Sequence, residues 1–528
     1  MVLLDTENKM DKPEEPFLKV EHLVTQFFTQ KGIVKALDGV SLSIGKGEVL
    51  GLVGESGCGK SVTATSIMDL IIDPPGRIVD GKIFVDGFNI IGDLQKLASI
   101  KVKSDTNVKI KRRTRQIKRH NTIISKIRGN KIAMIFQEPG LALNPVLTIG
   151  DQISEAILLH SRVNIANSII RRETINETQI AEFVKSVQSK KSLLDKESQI
   201  HIWTRDYAIP DLENSLRDLF ISTGDEAALT REIRRVVEEA KTFPNVQQMV
   251  TARDYFRTLD QLVNLNLQLL EAENTGNRNV VGNLQAKITA LKSEINRNFS
   301  SYRIARRFFK RRTEKPFREA ARRRGIELLE TVNISDPVRV YDAYPHELSG
   351  GMQQRAMIAM ALSANPKMLI ADEPTTALDV TTQAQILDLI RDLRTFTGSS
   401  ILFITHDLAV IAEMCDRVGV MYAGNLVEEA PVGDIFSDPK HPYTTGLLAS
   451  LPRIDQKLNP NEKLPSIQGS VPNLITPPSG CRFHPRCQFR MEICSEKKPK
   501  LVDLEGQKGR KVACFLYSEE TEESYVPQ

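Results

Sequence analysis

The apolar run Val49-Leu50-Gly51-Leu52-Val53 leads without a break into Gly54-Glu55-Ser56-Gly57-Cys58-Gly59-Lys60-Ser61. That order restricts the fold more than any other part of the chain. A continuous apolar run predicts a strand buried on both faces, and the glycines that follow let the backbone curl until several N–H groups point inward. The curl makes a cradle for phosphate oxygens. Lys60 adds a positive charge beside the terminal phosphates, the Ser61 hydroxyl can ligate magnesium, and the helix expected after Ser61 aims its positive end the same way. The bare pattern would also suit a plain glycine-rich turn; a strand before it and a helix after it favour the phosphate loop.

Far down the chain, Met368-Leu369-Ile370-Ala371-Asp372-Glu373 reads as a second short buried strand, here ending in two acids. Paired carboxylates at a strand end are compatible with simple solvation. They also suit magnesium chemistry: Asp372 would hold the ion through its water shell, and Glu373 would polarise a water that attacks a γ-phosphate.

Just upstream stands Leu348-Ser349-Gly350-Gly351-Met352-Gln353-Gln354-Arg355, and with it the set resembles an ABC-transporter nucleotide-binding subunit. The resemblance implies roles for further residues. Gln137, in Ile135-Phe136-Gln137-Glu138, is similar to the Q-loop glutamine that senses magnesium, attacking water and the transmembrane partner. Asp379, in Ala377-Leu378-Asp379, resembles the D-loop aspartate, and His406, in Ile404-Thr405-His406-Asp407, resembles the switch histidine that contacts the γ-phosphate. Phe27 falls where the family has an aromatic stacked on adenine; Phe28 is adjacent, and an ordinary strand aromatic stays open as a reading. Ser349, Gly350 and Gly351 make physical sense as an anion site at a helix start. In the family such domains dimerise head to tail, so that each ATP lies between the phosphate loop of one and the Ser-Gly-Gly element of the other. The implied catalytic set is Glu373, His406 and Gln137, with Ser61, Gln137 and Asp372 around Mg2+.

Length and composition bound the rest. At 528 residues the chain exceeds one average domain, and its 41% hydrophobic and 26% charged residues are ordinary for a globular protein. The net charge of +5 is small against 71 Lys and Arg and 66 Asp and Glu, so global charge does not demand nucleic acid. No apolar run is long enough to cross a bilayer, and Met1 to Glu15 is too polar and acidic for a signal peptide. We therefore expect a cytoplasmic chain that reaches a membrane only through a separate embedded partner.

Composition shifts along the chain. Lys109 to His120 is strongly basic and reads as a small insertion, a solvated helix face or loop, with contact to anionic lipid or nucleic acid as the alternative; no aromatic interleaves it, which weakens the case for single-strand binding. Between Gln137 and Ser349 the chain is far longer than in a typical family member, which predicts a helical insertion. Within it, Leu284, Ile288, Leu291 and Ile295 recur at helical steps, and Asn274-Thr275-Gly276-Asn277 separates them from the apolar-rich Leu259 to Leu270, predicting a helical hairpin. Arg303 to Arg312 is arginine-rich: a solvated face, or a contact for headgroups or an acidic partner. After His406, Asp438-Pro439-Lys440-His441-Pro442-Tyr443-Thr444 resembles the His-Pro-Tyr segment of oligopeptide and dipeptide importer ATPases. There the tail is proline- and cysteine-rich, and here Pro465, Pro472, Pro477 and Pro478 lead into Cys481, Cys487, Cys494 and Cys514. Their C-x5-C-x6-C-x19-C spacing is not a zinc ribbon's. The tail of relatives implies a [4Fe-4S] cluster; zinc and unligated thiols stay open. Cys58 and Cys415 read as structural.

The expected fold is α/β: an ABC-type P-loop NTPase core with an antiparallel β subdomain, an enlarged helical subdomain and a Cys-containing C-terminal extension. The expected divisions are 17–160 and 320–436 for the two parts of the nucleotide-binding domain, 161–319 for the helical insertion and 437–528 for the extension. The resemblance implies an ATPase energising import of oligopeptides or dipeptides from the cytoplasmic face of the membrane. Its implied partners are permease subunits, a second and different ATPase subunit and, indirectly, a peptide-binding protein, with no nucleic acid. The alternative is a soluble ABC ATPase acting on ribosomes or nucleic acid.

Overall fold

The structure is a computed structural model that describes residues 15–92, 98–104, 107–207, 212–222, 225–241, 246–275, 277–376, 378–450, 467–507 and 509–518. Ala377 of the D-loop segment, Gly276 of the hairpin turn, Pro465 of the tail and all but the last residue of Met1 to Glu15 lie outside them. The chain forms two compact units, one of Met1–Glu138 with Asn365–Gln528 and one of Pro139–Ala364.

In the first unit, β1 (Leu18–Thr29) and β2 (Gly32–Ile44) pair antiparallel. Leu18, Val20 and Leu23 are buried, and the register slips between Val20 and Leu23, where His22 takes a φ of 48°. β3 (Val49–Val53) is buried at every position, as its apolar run predicts. β4 (Gly76–Val85) and β5 (Phe88–Asn89) complete an antiparallel sheet of order β2-β1-β4-β5, the expected β subdomain.

The basic segment 109–120 is divided between two elements. Its first part lies in the hairpin of β6 (Ala98–Ser104) and β7 (Asn107–Arg112), and its second in the helix Thr114–Ile127. It is not wholly solvated. Arg112 pairs with Asp73, and buried His120 meets Asp69 Oδ2 through Nε2 at 2.8 Å.

β8 (Ile132–Ile135), β9 (Met368–Asp372) and β10 (Ser400–Ile404) run parallel to β3, and β11 (Arg417–Tyr422) continues the parallel set on its other side. β8, β9 and β10 are buried throughout, the pattern of strands covered on both faces. β12 (Asn425–Pro431), β13 (Val502–Asp503) and β14 (Lys511–Val512) extend this sheet antiparallel, giving the order β13-β14-β12-β11-β3-β10-β9-β8. The C-terminal extension thus adds strands to the nucleotide-binding sheet itself.

The second unit is helical. The expected hairpin is present as Val246–Thr275 and Arg278–Asn298, with Leu269, Ala272, Leu284 and Ile288 as its core. A separate core holds the helices between Glu177 and Ala240, around Phe183, Val184, Leu216 and Ile233, with Phe183 stacked on Trp203 at 4.2 Å. Residues 139–160 and 320–364 pack in this unit with the insertion helices. The reason is local: Tyr341 fits between Gly150 and Gly325, where an added Cβ would come within 2.1 Å and 2.6 Å of its ring. Of the arginine-rich segment, Arg306 is turned inward, joining Arg162 on the buried carboxylate of Glu314 at 2.7 Å each. Phe308 and Phe309 are exposed.

Candidate functional site

Gly54, Gly57 and Gly59 all have positive φ, at 155°, 77° and 107°. Gly54 has a second constraint, since a Cβ there would lie 2.2 Å from the Met421 carbonyl oxygen. Gly57 has open space around the Cβ position, so its requirement is purely conformational. The helix Lys60–Ile67 takes in Lys60 and Ser61, starting slightly earlier than expected, with Gly59 as its left-handed cap. Lys60 is buried and donates from Nζ to the carbonyls of Gly54 at 2.8 Å and Glu55 at 3.3 Å, closing the loop on itself. Cys58 is packed inward; burial pushes its thiol pKa up, against the nearby Lys60 charge.

The parallel strands bring together what the sequence holds far apart. Ile404 at the end of β10 pairs with Leu52 on one side and Asp372 on the other, and Ile135 at the end of β8 pairs with Ala371. The residues just beyond these strands therefore share the carboxyl edge of the sheet, where α/β proteins bind ligands. Ser61 Oγ donates to Asp372 Oδ1 at 3.0 Å, which joins two of the three residues expected at magnesium. The third, Gln137, donates from Nε2 to Glu373 Oε2 at 2.8 Å. His406 Nδ1 lies 3.3 Å from Glu373 Oε1. All three residues of the expected catalytic set thus meet at one carboxylate.

Asp372 and Glu373 differ in environment. Burial raises the Asp372 pKa to about 6, helped by the neighbouring Glu373 charge and opposed by the Ser61 hydrogen bond and Lys60. Glu373 takes a φ of 46°, a left-handed conformation uncommon for a residue with a side chain. It is pinned there by its N–H on the Ile404 carbonyl at 2.8 Å and by Thr376 Oγ1 on Oε2 at 3.0 Å. That turn aims the carboxylate at Gln137 and His406.

The remaining expected residues stand in simpler surroundings. Asp379 caps the helix Val380–Thr397, accepting from Thr382 N at 2.9 Å and Thr382 Oγ1 at 2.7 Å, and these bonds hold its carboxyl pKa low. In the helical unit, Ser349 caps the helix Gly350–Leu362, accepting from Met352 N at 3.4 Å, and exposed Gly350 has free space where a Cβ would stand. Gly351 follows in the first turn. Phe27 pairs with Val34 and Gly76 in the antiparallel sheet, its ring edge within 2.7 Å of where a Gly76 Cβ would be. Phe28 donates its N–H to Pro75.

Residues 37–218 and 221–376 match the family described as ABC transporter. The chain belongs to that family. Residues 427–494 match the oligopeptide/dipeptide transporter C-terminal region. The oligopeptide transport ATP-binding protein AppD of Bacillus subtilis (strain 168) is 35% identical over 95% of this chain and 97% of its own length. The probable peptide ABC transporter ATP-binding protein y4tR of Sinorhizobium fredii is 32% identical over 95% of each. The oligopeptide transport ATP-binding protein OppD of Bacillus subtilis (strain 168) is 32% identical over 92% of this chain and 86% of its own length.

As an ABC transporter ATPase the chain binds ATP with Mg2+ and hydrolyses it. Its C-terminal extension reaches the phosphate loop, which the sequence did not disclose. Tyr443 OH accepts the Glu55 N–H at 2.9 Å, and Arg486 bonds both Glu55 carboxylate oxygens, at 2.8 Å and 3.1 Å. The polar groups of Glu55, expected among the nucleotide contacts, are thus taken by protein partners. Tyr443 was visible as part of the His-Pro-Tyr segment; nothing in the sequence singles out Arg486. Nearby, Cys481, Cys487, Cys494 and Cys514 line one cavity of about 10 Å³, room for at most one water. Burial raises the Cys481 thiol to about 11 and the Cys514 thiol to about 12. Among the described residues no group of three or more His, Cys, Asp or Glu side chains stands ready to hold a metal ion. The four cysteines line one cavity without forming a ligand set.

Proposed function

We propose that the chain is the ATP-hydrolysing subunit that energises import of oligopeptides or dipeptides through a membrane permease. The observation that carries this is the meeting of Gln137 and His406 on Glu373, beside the Ser61–Asp372 pair, at the carboxyl edge of one sheet. Glu373 orients the attacking water, Gln137 and His406 hold the carboxylate and report on the γ-phosphate, and Lys60 with the loop amides steadies the phosphates. Ser61 and Asp372, both hard oxygen donors, would hold Mg2+, which neutralises phosphate charge. The peptide assignment draws on the named relatives and on the C-terminal region, which matches peptide transporters.

On this reading the chain sits at the cytoplasmic face of the membrane, bound to permease subunits. No described helix is long and apolar enough to cross a membrane itself. It pairs with a second, different ATPase subunit, and Ser349, Gly350 and Gly351 face the partner's nucleotide while Asp379 lines the seam. Phe27 stacks on adenine. A peptide-binding protein selects the cargo. Affinity purification from the native membrane should recover a polytopic permease and a second ATPase; recovery of ribosomes or DNA instead would overturn the reading.

The extension's cysteines carry a finer assignment, thiolate ligands of a [4Fe-4S] cluster. Its support is the convergence of Cys481, Cys487, Cys494 and Cys514 on one cavity. Ligation would strip the thiols of protons and draw them into a set, since metal binding and deprotonation are linked. Protein purified without oxygen should contain iron and acid-labile sulfide and absorb in the visible, and Cys481→Ser should remove both signals. Zinc, or no metal, would overturn the assignment.

A further inference from the structure

The guanidinium of Arg486 is fully committed. Nη1 donates to Glu55 Oε2 at 2.8 Å and to Tyr422 OH at 3.2 Å; Nη2 donates to Glu55 Oε1 at 3.1 Å and to the Ile467 carbonyl at 3.3 Å; Nε donates to the Gln468 carbonyl at 2.9 Å. All the donors of a guanidinium are thereby used, in a side chain that is only 6% exposed. A lysine could not reproduce this fork. Tyr443 adds a second hold. Its ring is fully buried, packed on Tyr422 at 4.7 Å and Phe483 at 5.5 Å, so its hydroxyl is rigidly aimed at the Glu55 N–H.

What they grip is the second residue of the phosphate loop. The Glu55 carbonyl accepts from the Lys60 ammonium at 3.3 Å and from Cys58 N at 3.2 Å, so the position of Glu55 is passed directly to the loop's cation and to its turn. A tail serving only to cover the sheet edge would need no bidentate ion pair to this residue. Bidentate guanidinium–carboxylate pairs fix orientation as well as distance.

We infer that Arg486 and Tyr443 are positioning residues for nucleotide binding, acting through Glu55 to hold the phosphate loop in its receiving shape. The C-terminal extension is then a working part of the ATP site. This rests on the reading of Gly54 to Ser61 as the nucleotide-binding loop. The hydrolytic cluster of Glu373, Gln137 and His406 is contacted by neither residue, so the effect should fall on ATP affinity and KM rather than on turnover at saturation.

The test is Mg-ATP binding by equilibrium dialysis and steady-state ATPase kinetics on the full chain. Arg486→Ala should weaken ATP binding about tenfold and Tyr443→Phe about threefold, with kcat within about twofold of the parent. Arg486→Lys should recover only part of the loss. Glu55→Gln should match Arg486→Ala, and the double variant should be no worse than either single one, because both break the same pair. If Arg486→Ala does not fold, Glu55→Gln, Arg486→Lys and Tyr443→Phe carry the test. Folded variants that bind ATP within about twofold of the parent, or single effects that simply add, would overturn the inference. Lys60→Ala serves as the control: if it too binds ATP normally, the reading of the loop itself fails.

Discussion

On the proposed reading, Asp372 answers two demands that pull against each other. To hold magnesium it must be ionised, yet it is 4% exposed and burial lifts its pKa to about 6. Magnesium-dependent ATP binding should therefore weaken as pH falls through about 6, measurable as a rising ATP KM. The stability consequence has the opposite sense. A carboxyl whose folded pKa is raised binds its proton more tightly in the folded state, so its contribution is greatest below about pH 4 and declines as pH climbs towards 6. Asp372→Asn, which keeps a partner for Ser61 without the charge, should raise stability at pH 7.5 by about 1–3 kcal/mol while losing ATPase activity. A lower melting temperature for that variant would contradict the account. At the neighbouring position, Glu373→Gln should keep ATP binding and slow hydrolysis by orders of magnitude, whereas Lys60→Ala should largely abolish binding; normal turnover by Glu373→Gln would remove its assigned role. Asp372, Glu373 and Lys60 were legible from their motifs. The left-handed turn of Glu373, and the capture of Glu55 by Arg486, were not, because neither follows from local spacing.

Among the elements, the helices around Tyr341 show packing overriding propensity. Gly150 sits in the helix Ile149–His160, where alanine would ordinarily add up to about 1 kcal/mol. Here a Cβ would come within 2.1 Å of the Tyr341 ring, and overpacking of this kind costs about 1–3 kcal/mol. Gly150→Ala should therefore lower the melting temperature; an increase would mean the ring moves aside at no cost. Glu314 makes the matching electrostatic case. Burial works to raise its pKa, but hydrogen bonds from Arg306 and Arg162 prevail and hold it below the usual carboxylate range. Its contribution is full above the ordinary glutamate pKa of about 4.3 and is lost as pH falls through the lower folded value. Removing the carboxylate in Glu314→Ala would leave two arginines facing each other, at a cost of about 3–5 kcal/mol in thermal or urea unfolding. The hairpin was readable because Leu284 and Ile288 repeat at a helical period. The core around Phe183 and Trp203 was not, since its residues come from several helices with no single repeat.

For the whole molecule, ATP should act as the glue between subunits. Glu373→Gln, mixed with the second ATPase subunit proposed above and Mg-ATP, should form a stable pair by size-exclusion chromatography with light scattering, and Lys60→Ala should not. Failure of the first to pair would sink the head-to-tail arrangement. The compact units divide at 138 and 364 because compactness follows packing, and Gly150 and Gly325 are drawn to one tyrosine from opposite sides of a long insertion. The linear order of residues was enough to determine the phosphate loop, the acidic strand end and the family, since a loop that receives phosphate depends on backbone freedom and charge at fixed short spacings. Only the tertiary structure decided that Gln137 and His406 share Glu373 and that Arg486 reaches Glu55, because those contacts are made by strand register and by a tail returning to the sheet across hundreds of residues.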